Sequence, residues 1–139
     1  MSGGEGGRDI PGRVGDPVFG VDVIDAGGGI AVVAVQGDAD LHTAHELRSA
    51  IADAIDGGAT TLVIDLAETT FIDSMTLGVL LGAVKRLRPL GGRVSVVCTD
   101  TNIRRIFEIT LLDRVFSLRD SRQAALVEAE GLQRRPATA

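Results

Sequence analysis

Between Ile30 and Val127, short aliphatic runs alternate with stretches that carry apolar residues at helical spacing. This alternation constrains the fold more than any other feature of the chain. Ile30 to Val35 is a near-continuous aliphatic run, as expected of a strand covered on both faces. Thr43, followed three residues later by Glu46, reads as a capping box. It opens a helix with Leu47, Ile51 and Ile55 on one side, and Gly57-Gly58 closes it. Thr61 to Leu66 is the next strand. A helix beginning near Ser74 follows, with Leu77, Leu80, Leu81, Val84 and Leu87 as its apolar stripe, and Pro89 with Gly91-Gly92 stops it. Arg93 to Cys98 is a further strand, and Asp100 or Thr101 caps a short helix carrying Ile103, Ile106 and Phe107. Val115 to Leu118 is a last short strand, and Asp120 or Ser121 caps the final helix. Strands joined through helices by short connections pair in parallel.

Upstream, Val18 to Ile24 alternates as an edge or half-exposed strand does, and Gly27-Gly28-Gly29 turns it into the Ile30 strand as an antiparallel hairpin. The expected fold is α/β: a mixed, mostly parallel sheet of about five strands, with an antiparallel N-terminal pair and about four helices. Residues 1–16 are Gly-rich and carry too little apolar surface to order themselves, so they are expected to be a flexible leader. Residues 17–130 form the domain, and 131–139 a flexible tail.

Composition narrows the function. The chain of 139 residues is one domain by size, and 45% of it is hydrophobic. With four Phe and no Trp or Tyr, the core must be mostly aliphatic. A net charge of -5 argues against direct nucleic-acid binding, which favours a basic face. The longest apolar run, Leu77 to Val84, falls short of the ~20 residues a membrane helix needs. The N-terminus lacks the apolar core of a signal peptide, and one cysteine, Cys98, forms no internal disulfide. A cytoplasmic location is the expectation.

In open α/β sheets, chemistry gathers beyond the carboxyl ends of the strands. Three connections lie there: residues 37–40, 67–74 and 99–102. Together they suggest one rim carrying Asp38, Asp40, Asp73, Ser74, Thr76 and Asp100. Each residue taken singly is adequately explained as a cap or a solvated loop residue. Ser74 stands apart because an acidic residue precedes it and an apolar helix follows. It falls in a first helical turn, where unpaired N–H groups and the helix dipole favour negative charge. A phosphate added there is accommodated without unfolding, which makes Ser74 a candidate switch. His42 and His45 lack further ligands for a metal. Neither a Gly-x-Ser-x-Gly elbow nor a phosphate-binding glycine loop is present, so no catalytic residue, metal or cofactor is assigned. Asp65 interrupts an aliphatic strand, either to satisfy loop N–H groups or to mark the strand's wet end. Cys98 reads as a small buried hydrophobe.

Three segments carry a resemblance. Gly37-Asp38-Ala39-Asp40 looks like a Gly-Glu-Leu-Asp loop. Phe71-Ile72-Asp73-Ser74-Met75-Thr76-Leu77-Gly78 looks like an Asp-Ser-Ser-Gly-Leu-Gly phosphorylation segment. Gly91-Gly92-Arg93, followed by Ile103-Arg104-Arg105-Ile106-Phe107, looks like the matching later strand–helix unit. From about Val18 to Leu126 the chain resembles the STAS domain, specifically the stand-alone anti-sigma factor antagonists of bacteria. The resemblance implies a non-catalytic partner switch in a stress response. Its unphosphorylated form binds an anti-sigma factor that is also a serine kinase, which releases a sigma factor. Phosphorylation of the serine that maps onto Ser74 ends binding, and a serine phosphatase restores it. Thr76 is the second choice of acceptor. Asp38, Asp40, Asp73, Ser74, Met75 and Thr76 are the expected partner-binding residues. Two departures stand out: Met75-Thr76 replaces the family's Ser-Gly, and Leu111 stands where the family often has Gly.

Two rivals come from other classes. One is a STAS scaffold or ligand-sensing module, never phosphorylated, in a stress-signalling assembly or a transport system. The other is an enzyme acting on nucleotides or esters, which would need a base beside Ser74 and a phosphate cradle.

Overall fold

The computed structural model describes residues 19–133. The expected leader and most of the expected tail lie outside that range. Among the described residues five strands form one sheet: β1 (Gly20–Gly27), β2 (Ile30–Ala39), β3 (Thr61–Ile72), β4 (Arg93–Val97) and β5 (Ser117–Arg119). They lie in the order β1-β2-β3-β4-β5; β1 pairs with β2 antiparallel and every later pair is parallel. The helices are α1 (Ala44–Asp56), α2 (Ser74–Leu87), α3 (Thr101–Ile109) and α4 (Arg122–Gln133). Short 3₁₀ turns at Arg88–Leu90 and Leu112–Arg114 follow α2 and α3.

Strands that run in sequence order, each joined to the next by a crossover of one hand, gather their helices on one face. Leu47 and Ile51 of α1, Leu80 and Leu87 of α2, and Ile103 and Phe107 of α3 pack there on Val33, Val35, Leu62, Ile64 and Val96. Alternate strand residues point to the opposite face, where Val32, Val63 and Val97 meet Ala125 and Ala129 of α4. Both faces are thus covered, which is why the strands read as continuous aliphatic runs. Phe107 and Phe116 close one end of the core edge to face, with ring centroids 5.7 Å apart.

Gly92 shows how tightly the crossovers close. A Cβ at this position would lie 2.0 Å from the Thr60 carbonyl oxygen, so only glycine lets β4 enter beside β3.

Three sequence expectations change in detail. β1 runs from Gly20 to Gly27, three residues further at its end than expected; Val18, its expected start, lies outside the described residues. β3 continues to Ile72, not Leu66. The last strand begins at Ser117 instead of Val115.

Candidate functional site

The β3 extension builds the site. β4 pairs with β3 only as far as Asp65↔Val97. Beyond that point β3 and β2 continue alone as a two-stranded arm: Gln36↔Glu68, Gly37↔Thr69, Asp38↔Phe71 and Ala39↔Ile72. The seven residues from Leu66 to Ile72 carry the arm on the order of 20 Å past the β4 junction. Two register shifts interrupt the ladder, and Gly37, at φ 82°, supplies the left-handed backbone beside one of them. Thr69 is buried and donates its hydroxyl to the Val35 carbonyl at 2.9 Å, which ties the irregular stretch together.

At the tip, the two chains leave the sheet side by side. Asp73 is the N-cap of α2, in extended conformation, and its carboxylate accepts the Thr76 N–H at 3.0 Å. Its own N–H donates to the Ala39 carbonyl at 3.3 Å, so the start of α2 is fastened to the end of β2. Ser74 is the first helical residue and is exposed. The Ser74 and Met75 N–H groups, in the first helical turn, have no intrahelical acceptor. Lys85 and Arg86 in the last turn complement the other end of the helix dipole.

Thr76 is fully buried at 0% exposure. Its hydroxyl donates to the Ala39 carbonyl at 2.8 Å and also lies 3.1 Å from Asp73 Oδ1. The expectation that Thr76 stands on the rim as a second acceptor hydroxyl is therefore corrected. It is a fastener beneath the rim, because the apolar face of α2 rotates this position inward.

Asp38 lies opposite Phe71, and its Oδ1 accepts the Thr70 hydroxyl at 2.6 Å. Asp40 is half-buried and folds onto its own turn, where Oδ1 accepts the His42 N–H at 2.9 Å. Thr43 makes no side-chain cap of α1, and the predicted capping box does not form. Its Oγ1 instead accepts the Asp40 N–H at 2.8 Å and lies 3.1 Å from the Asp38 carbonyl oxygen. Asp40 holds the turn that the sequence pattern assigned to Thr43.

Asp100 does not join this tip. Its carboxylate caps α3, accepting the Asn102 N–H at 2.7 Å and the Ile103 N–H at 3.2 Å. It follows β4, which ends where the arm begins, so the single rim expected from three connections reduces to two of them. His42 precedes α1 and His45 lies in its first turn, and both are exposed.

Of the apolar part of the tip, sequence reasoning named Met75 but missed Leu41 and Phe71. Leu41 is 60% exposed, Phe71 49% and Met75 44%. They belong to the same two segments as the acidic residues and Ser74. Phe71 gave one usable signal: it stands next to the polar run Glu68-Thr69-Thr70, where a core aromatic is out of place.

Asp65 sits at the base of the arm, nearly buried. Oδ1 accepts the Ala67 N–H at 2.9 Å, and Oδ2 pairs with Arg122 Nε at 2.7 Å. Cys98 is buried, which pushes its thiol up to about 11; Arg104 opposes the rise, and Asp100 and Glu108 add to it. It stays protonated and packs as the small hydrophobe expected.

The STAS domain profile matches residues 23–125, and the chain belongs to the STAS domain family. It is 31% identical over 103 residues to the anti-sigma-F factor antagonist RsfB of Mycobacterium tuberculosis, covering 74% of this chain and 84% of that protein. It is 29% identical over 103 residues to an anti-sigma F factor antagonist of Paenibacillus polymyxa, covering 73% and 88%. The crystal structure of an anti-sigma factor antagonist from Mycobacterium paratuberculosis superposes with a TM-score of 0.74 at 31% identity, over 81% of this chain and 95% of that one. No helix among the described residues is long and apolar enough to cross a membrane.

Proposed function

We propose that this chain is a cytoplasmic anti-sigma factor antagonist. Its unphosphorylated tip binds an anti-sigma factor with serine kinase activity, and phosphorylation of Ser74 ends that binding. The observation that carries the reading is the exposure of Ser74 at the first position of α2, between the exposed side chains of Phe71 and Met75. Exposed apolar side chains ringed by polar groups suit a protein partner. Asp38, Asp40 and Asp73 bring negative charge, which favours a partner with a basic patch.

The switch is electrostatic. A phosphoserine adds about −1.5 to −2 charges. The free N–H groups of the first helical turn donate to its oxygens without disturbing the fold. In an interface it loses its water beside the Asp73 carboxylate, and such like-charge contacts cost several kcal/mol. Each 1.4 kcal/mol is tenfold in affinity, so about a thousandfold loss of binding needs no rearrangement of this domain. A serine phosphatase resets the surface. Nothing in this cycle asks the chain to perform catalysis, touch nucleic acid or enter a membrane.

The experiment is incubation with the cognate kinase and ATP, read by intact mass, beside binding measured by calorimetry. A single phosphate is expected on the wild type and none on Ser74→Ala. Ser74→Asp is expected to lose the kinase while keeping the wild-type circular dichroism. A phosphate retained on Ser74→Ala, or wild-type affinity in Ser74→Asp, overturns the assignment.

A further inference from the structure

The end of the sheet opposite the Ser74 tip holds an open cleft of about 330 Å³. It exists because β5 is short. β5 joins β4 only from Ser95↔Ser117 onward, so Arg93 and Val94, paired with β3 on one side, have no neighbouring strand on the other. Val84 and Phe116 form part of its apolar wall. The rest is strongly polar. Arg88, Arg93 and Arg114 line it from three separate segments. Among the described residues none of these three guanidinium groups forms an ion pair, although the chain has 19 acidic residues against 14 basic ones. Three like charges around one cleft repel one another, and no acidic group among the described residues pairs with them.

The floor of the cleft is built differently. Glu128 of α4 accepts the Ser117 hydroxyl at 3.0 Å and the Ser95 hydroxyl at 3.4 Å, and it pairs with Arg119 outside the cleft. Ser95 is buried, at 4% exposure. Burial raises the Glu128 carboxyl, but Arg119, Ser117 and Ser95 together outweigh it and hold it below its usual range. The carboxylate therefore stays charged, an acceptor with its own cation already supplied. The unpaired charge of the cleft remains that of the three arginines.

We propose that this cleft binds a small phosphate monoester of a hydroxylated compound. The arginines take the phosphoryl group, because guanidinium forks match its oxygens and a dianion offsets their mutual repulsion. The Glu128 carboxylate and the lone pairs of the two serine hydroxyls accept hydrogen bonds from the ligand's hydroxyl groups. The volume lies at the lower end of small-molecule sites, which limits the ligand to a compact one. The site lies away from Asp38, Asp73 and Ser74 and does not depend on the partner switch.

The test is titration of the full chain with ribose 5-phosphate, followed by amide chemical shifts and calorimetry, with ribose, inorganic phosphate and citrate as separate arms. Saturable ribose 5-phosphate binding is expected, with shifts at residues 93–95 and 114–117, weaker phosphate binding and none by ribose. Arg93→Gln and Arg114→Gln are each expected to weaken it about tenfold, the worth of one charge-assisted hydrogen bond. Ser74→Asp is expected to leave it unchanged. Binding of ribose alone, tighter binding of citrate, an undiminished affinity in both arginine variants, or no saturation by ribose 5-phosphate at millimolar concentration overturns the proposal.

Discussion

Thr76 Oγ1 donates to the Ala39 carbonyl at 2.8 Å, and this one bond joins the first turn of α2 to the last residue of β2. Because the Asp73 N–H reaches the same carbonyl at 3.3 Å, both proposed partner-binding segments are anchored at a single backbone atom. The exposed hydroxyl of Ser74 is thus held in place by a buried one two residues later.

Removing the buried hydroxyl costs stability, and removing the exposed one does not. Thr76→Val keeps the shape but leaves the Ala39 carbonyl with only its longer bond and puts a methyl against Asp73. A loss of about 1 kcal/mol is expected. Ser74→Ala is expected to change stability by less than ~0.5 kcal/mol, as surface substitutions do. Urea denaturation measures both, and equal losses in the two variants would sink this account of the tip.

Leu111 occupies the left-handed region at φ 63°, the one non-glycine to do so among the described residues, and it is 56% exposed. A side chain there costs ~1–2 kcal/mol. Glycine removes that cost but adds ~0.5–1 kcal/mol of chain entropy. Leu111→Gly is therefore expected to be neutral or to stabilise by up to ~1.5 kcal/mol, whereas Leu111→Ile is expected to destabilise. Thermal melting of both variants decides it, and a clear loss in Leu111→Gly would contradict the strain.

The layout of the sheet was legible because the crossovers announce themselves: an aliphatic run, a cap, an apolar stripe and, in the first two, a glycine stop. The arm was not. Glu68-Thr69-Thr70 looks like a loop, and only the folded register, Gln36 with Glu68 and Gly37 with Thr69, shows that the backbone goes on pairing. The Thr43–Glu46 spacing was a true pattern overridden locally, since the Thr43 hydroxyl is taken up by the Asp40 N–H and the Asp38 carbonyl in the turn before the helix. Ser74 was found at the right turn because charge and periodicity both mark it. Thr76 was misjudged because two residues separate an outward from an inward helix position. The arginine cleft gave no signal, for its parts come from segments that only the fold assembles.

Asp65 and Arg122, 57 residues apart, set up a comparison between ion pairs. The Asp65 side chain is 9% exposed, whereas the surface pair Arg86–Asp56 is exposed to 48% and 69%. Arg122→Ala leaves a nearly buried carboxylate with only the Ala67 N–H, and a loss of ~1–3 kcal/mol is expected. Arg86→Ala is expected to cost at most ~0.5 kcal/mol. Chemical denaturation of the two variants separates them. Similar small losses would mean that Asp65 is well served without its arginine.

Glu128 sets an acid limb on stability. Its carboxyl ordinarily titrates at 4.5 and lies lower in the folded chain, because Arg119 with Ser117 and Ser95 outweighs the effect of burial. A group whose folded value is depressed contributes stability that is fully present above the unfolded value. That stability disappears as pH falls through the folded one. The wild type is therefore expected to exceed Glu128→Gln in stability at neutral pH. The gap should hold down to about pH 4.5 and close only below it. Denaturation of the two proteins across pH 3 to 7 traces the difference. A gap that is constant over that whole range would mean that the carboxylate's charge contributes nothing and that packing alone separates the variants.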